Sequence, residues 1–65
     1  MQNTVKLERT RMNLTQQDLA DRIGVSRQTI HSIEKGKYTP STELALRMSA
    51  VFGISVNQFF TLKND

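Results

Sequence analysis

Four side chains in the middle of this 65-residue chain carry most of its capacity for specific chemistry: Arg27, Gln28, His31 and Ser32. With Arg27 at zero and steps of about 100° per residue, Gln28, His31 and Ser32 fall on one side of a helix, flanked by Arg27. Thr29, Ile30 and Ile33 fall on the opposite side. Gln suits adenine edges, Arg suits guanine edges, and Ser or His can serve either strand. Simple solvation of a helix face would also make it polar, so the surroundings must decide. No catalytic set competes. His31 is the only histidine, cysteine is absent, and no Gly-rich phosphate loop follows a strand. A metal would need partners that the chain does not supply. His31 could titrate near neutrality as a switch; a solvated, groove-facing side chain is the simpler reading. The expectation is a protein that is not an enzyme and needs no cofactor.

Those four residues require a helix held at a fixed angle. Thr15 can cap a first helix, Gln16 to Ile23, with Asp18 at its positive end. Gly24 follows the last apolar residue, where a left-handed backbone is least costly. Ser26 can cap a second helix from Arg27 to about Lys35, and Gly36 can end it. A helix, a three-residue turn containing glycine and another helix form a helix-turn-helix, here at about residues 16–35. Lys35, Lys37 and Tyr38 directly follow the second helix, well placed for phosphates beside a groove. Alternatively, Lys35 complements the helix dipole and Tyr38 packs on the loop. Lys37 has no such structural task.

Leu14-Thr15-Gln16, Leu19-Ala20, Gly24 through Ile30, Ile33-Glu34 and Gly36-Lys37-Tyr38 resemble the Xre family of Cro/CI-type helix-turn-helix regulators. The resemblance continues through Pro40-Ser41, Leu44-Ala45 and Phe52-Gly53-Ile54-Ser55, covering about Val5 to Phe60. It implies an all-α, five-helix, lambda-repressor-like DNA-binding domain with its second paired helix in the major groove. It also implies a structural ion pair between Arg9 and Glu34. For Gln16 it implies a phosphate contact and a hydrogen bond to Arg27. One position departs from the family: the residue before that Arg is normally apolar, whereas here Glu8 follows Leu7. Either helix 1 changes register or packing, or Leu7 is left for another interface.

Elsewhere, Met1 to Asn3 reads as a loose end and helix 1 as starting after Asn3 or Thr4 and running to about Met12, closed by Asn13. Ser41 caps a fourth helix with a core stripe of Leu44, Met48 and Phe52. Leu46, Ala50 and Val51 widen its apolar face beyond the needs of a small monomer. Gly53 breaks it, Ile54 and Val56 enter the core, and Ser55 to Gln58 reads as a capping box for helix 5. Phe59, Phe60 and Leu62 either complete the core or join Leu46 and Val51 as a subunit interface. Phe60-Thr61-Leu62 can also add a terminal strand beside the N-terminus.

Residues 1–65 are read as one domain burying only about 60% of its unfolded surface. Nine Lys and Arg against six Asp and Glu give a net charge of +3, consistent with a polyanionic partner. No basic leader precedes an apolar run and no segment approaches a membrane span, so a cytoplasmic protein is the default. The expected function is a sequence-specific transcriptional regulator, a repressor binding double-stranded DNA at a palindromic operator as a homodimer. The alternative is an antitoxin or protein-interaction module using the C-terminal apolar face. Neither reading calls for a small-molecule ligand.

Overall fold

A computed structural model describes residues 2–62. In chain order these form β1 (Gln2–Asn3), α1 (Val5–Arg11), α2 (Gln16–Ile23), α3 (Arg27–Glu34), α4 (Thr42–Phe52), a 3-10 turn (Val56–Gln58) and β2 (Phe60–Thr61). The two strands pair antiparallel, with Gln2 opposite Thr61 and Asn3 opposite Phe60. The strand pair joins both ends of the described chain, and Asn3 is not a loose end. Met1, the rest of that expectation, lies outside the described residues.

Local side-chain chemistry sets the helix boundaries. The Asp18 amide donates to Thr15 Oγ1 at 3.0 Å, and the Thr15 amide donates to Asp18 Oδ2 at 2.9 Å. This capping box starts α2. Ser26 and Ser41 accept from the Thr29 and Leu44 amides, each at 3.2 Å, and start α3 and α4. At the other end of α3, Gly36 takes φ +75°. Its amide donates to Ile33 O and that of Lys37 to Ser32 O, both at 2.9 Å. This 5→2 and 6→1 pair is the Schellman closure, and it fixes the backbone of Lys37 against the helix end. Asn13, at φ 58°, closes α1 in the same way through Thr10 O and Arg9 O.

The core gathers Val5, Leu19, Ala20, Ile23, Ile30, Ile33, Leu44, Met48, Phe59 and Phe60. Ile54 and Val56 pack against it while remaining half-buried. Phe59 meets Phe52 edge-on at 5.1 Å between ring centroids and lies 5.1 Å from Phe60. This decides between the two readings of Phe59 and Phe60 and removes them as subunit-interface candidates: their exposures are 1% and 6%, so their apolar surface is already used.

The expected fifth helix is also corrected. The segment after Gly53 makes only the 3-10 turn, which Gln58 opens by accepting from the Ser55 amide at 2.9 Å. The chain must then extend at once, because Phe59 O accepts from Thr4 N and Phe60 joins the strand pair. Helix 1 keeps its register with an inverted pattern, Glu8 buried and Leu7 57% exposed. Arg11, 3.2 Å away, pairs with Glu8 at the surface. Among the described residues no helix is long and apolar enough to cross a membrane.

The α2 capping box has a pH consequence. The Thr15 amide and then its hydroxyl, with Arg22 assisting, hold the Asp18 carboxyl below the usual carboxylate range. A depressed folded pKa contributes stability above the unfolded aspartate value, near about 4, which is lost as pH falls through the folded value. Asp18→Asn should therefore lower the melting temperature at pH 7, with the gap to the parent narrowing below roughly pH 4. Melting curves across that range test it; a gap independent of pH would remove the carboxylate from the cap.

Candidate nucleic-acid interface

Helix α3 presents its polar residues because its other side packs against α2 and α1. Ile30 and Ile33 are fully buried, which leaves Arg27, Gln28 and His31 exposed and Ser32 half-buried. Thr29, expected on the inward side, is half-buried at the boundary. Its hydroxyl lies 2.9 Å from Ser26 Oγ. Gln28, Thr29 and Ser32 line a shallow hollow of about 190 Å³ with Tyr38. Lys35, Lys37 and Tyr38 are all exposed beyond the helix. Arg27, Lys35 and Lys37 make no ion pair among the described residues.

The end of α3 is anchored by a polar network. Arg9 Nε donates to Glu34 Oε2 at 2.8 Å and Arg9 Nη2 to Oε1 at 3.3 Å, while Nη1 reaches Leu14 O at 2.9 Å. The side chains of Arg9 and Glu34 are only 12% and 7% exposed. Gln16 Nε2 adds a bond to Glu34 Oε1 at 3.0 Å, so α1, α2 and α3 converge on one carboxylate. The bond expected from Gln16 to Arg27, which would use the amide oxygen of Gln16, does not form among the described residues; the amide nitrogen is held by the desolvated, charged Glu34 carboxylate. That amide keeps a second hydrogen for another acceptor.

Asn3 is a positioning residue that sequence reasoning missed. Its Nδ2 donates to Ile33 O at 2.8 Å, and its Oδ1 accepts from the Val5 amide at 3.1 Å. One side chain thus starts α1 and satisfies a terminal carbonyl of α3. Arg47 was missed as well: Nη1 donates to Ile23 O at 3.1 Å, behind the helix-turn-helix turn. A Cβ on Gly24, at φ +78°, would be strained by the left-handed backbone and would press on that nitrogen at 3.3 Å. The sequence signal for Asn3 was its capping chemistry before α1. For Arg47 there was none, because its partner is a distant backbone carbonyl.

Of the surface apolar residues, Leu46 is 58% and Leu62 80% exposed, while Val51 is half-buried against the core. Leu46 lines an apolar groove of about 350 Å³ with Pro40, Ala45, Val56 and Phe60. No group of three His, Cys, Asp or Glu residues among those described could hold a metal ion.

A model of the helix-turn-helix family matches residues 5–59. An uncharacterized HTH-type transcriptional regulator of Methanocaldococcus jannaschii is 49% identical over 65 residues, covering 100% of this chain and 98% of its own. The uncharacterized HTH-type transcriptional regulator YgzD of Bacillus subtilis is 40% identical, again over 100% of this chain and 98% of its own. Among solved structures, the clp gene regulator ClgR of Corynebacterium glutamicum superposes with a TM-score of 0.77 at 26% identity. That match covers 83% of this chain and 57% of ClgR. The polar row on α3, the capped turn before it and these likenesses agree: the chain belongs to the Xre, Cro/CI-type helix-turn-helix family of DNA-binding transcriptional regulators.

Proposed function

We propose that this protein is a sequence-specific repressor that occupies a palindromic operator as a homodimer, with α3 in the major groove. The observation that carries the reading is the exposed row of Arg27, Gln28, His31 and Ser32 on a helix anchored through Glu34. These four side chains read base edges. Gln16, Lys35, Lys37 and Tyr38 contact the flanking phosphates and set the docking register. A single module buries only about 600–1,000 Å² on DNA, so two copies supply the specificity that one lacks. Leu46, Val51 and Leu62 are the remaining candidates for the contact between copies. Residues 1–65 act as one DNA-binding unit in the cytoplasm, without cofactor or small-molecule ligand. The antitoxin alternative loses most of its support, since Phe59 and Phe60 are buried in the chain's own core.

Selection from random duplex DNA tests the reading. A palindrome with half-sites roughly 34–36 Å apart is expected; weak, salt-sensitive binding without an enriched motif would overturn it. Lys37 gives a separate check. Lys37→Ala should weaken binding to all sequences and reduce the salt slope by about one per site. An unchanged slope would remove Lys37 from phosphate contact.

A further inference from the structure

The hollow on the exposed side of α3 has a chemistry of its own. Gln28 and Ser32 stand one turn apart on α3, and Thr29 and Tyr38 line the same hollow. Its lining is mostly apolar although three of its four residues are polar by type. The Thr29 hydroxyl is turned to Ser26, 2.9 Å away, which leaves the Thr29 methyl as the group available to the hollow. Tyr38 is 48% exposed. It also lines a neighbouring recess with Ile23, Val25 and Leu44. The backbone just before it is fixed by the Lys37 amide on Ser32 O. An aromatic wall, the Thr29 side chain and two hydrogen-bonding rims make a hollow with room for a small apolar group. In the major groove the one apolar group displayed by a base edge is the thymine 5-methyl.

We propose that Thr29 and Tyr38 form a thymine-methyl slot, so Tyr38 determines sequence as well as docking register. The slot rests on the reading of α3 as the groove-bound helix. Gln28 and Ser32 at its rims hydrogen-bond the same or the adjacent base pair, and the methyl seats between Thr29 and the Tyr38 ring. Each half-site then contains one thymine that is read through its methyl group.

The test uses the full chain and the duplex enriched from random DNA, with each thymine replaced in turn by deoxyuridine. Burial of one methyl group predicts about a fourfold loss of affinity per half-site at one position. Replacement at the other thymines should leave binding within about 1.5-fold, the scale of a few tenths of a kcal/mol. Tyr38→Phe keeps the ring and should keep the discrimination, even where loss of the hydroxyl weakens binding overall. Tyr38→Ala should erase the discrimination, with circular dichroism confirming that the variant is folded. Thr29→Ser removes only the methyl group and should also reduce it, which covers the case of a poorly folded Tyr38→Ala. A specific motif lacking a thymine in each half-site, or uniform tolerance of deoxyuridine, would overturn the slot and leave the regulator reading intact. Discrimination that survives both Tyr38→Ala and Thr29→Ser would overturn it too. Failure to enrich any motif would instead remove the reading on which it rests.

Discussion

Arg9→Met is expected to lower the unfolding free energy by about 3–5 kcal/mol, because it strands the Glu34 carboxylate in a nearly dry site. Only the Gln16 amide would remain on that carboxylate, and the Leu14 carbonyl would lose its donor as well. Against a total stability of about 5–15 kcal/mol for a native domain, such a loss leaves a large unfolded fraction at physiological temperature. Denaturant unfolding followed by circular dichroism measures it directly. Removing both charges with Arg9→Met and Glu34→Leu should cost less than Arg9→Met alone, since no unpaired ion is then buried. Glu43→Ala serves as a control: its partner Arg47 and Glu43 itself are 53% and 77% exposed, so the change should stay below about 1 kcal/mol. A loss from Arg9→Met no greater than that of the control would show that the network does not hold the helices together.

Gln28→Ala should cost about 1–3 kcal/mol at the selected operator while leaving non-specific affinity nearly unchanged. The separation follows from its position. Gln28 is exposed at the start of α3 and contributes nothing to the core, so its removal should not be confused with unfolding. Titrations of operator and random duplexes at matched salt compare the two losses. Equal losses on both would place Gln28 on the backbone and not on a base. The residue is also a rim of the proposed methyl slot, so a remaining preference for thymine over deoxyuridine in Gln28→Ala would assign the apolar reading to Thr29 and Tyr38.

The helix-turn-helix was legible because its boundaries are written in local chemistry. Thr15 with Asp18, Ser26, Gly24 and Ser41 each satisfy or redirect backbone groups within three residues, a distance that sequence spacing covers. The alternation of Ile30 and Ile33 with polar neighbours likewise determined which side of α3 faces outward. The errors cluster where the partner is far along the chain. The bond from the Gln16 amide nitrogen to Glu34 spans 18 residues, and finding it requires knowing how three helices converge. Ser55 to Gln58 carries a capping signature, but the demand that Phe59 reach the core and Phe60 reach Asn3 ends the helix after one turn. Phe59 and Phe60 were ambiguous for the same reason: composition counts apolar residues without saying which neighbour covers them. Glu8 broke the apolar pattern, and only the contacts of α1 show that the register survived it.

The aromatic seal also sets an order of events. The α2–α3 pair closes over a handful of residues and can form within microseconds, whereas Phe59 and Phe60 must return across nearly the whole described chain to meet Val5 and Asn3. Loop closure over that length is the slow, entropically expensive step. Until it happens, Phe52, which Phe59 meets edge-on in the finished core, lacks that cover. The last ring to arrive therefore decides how long a newly made chain stays sticky.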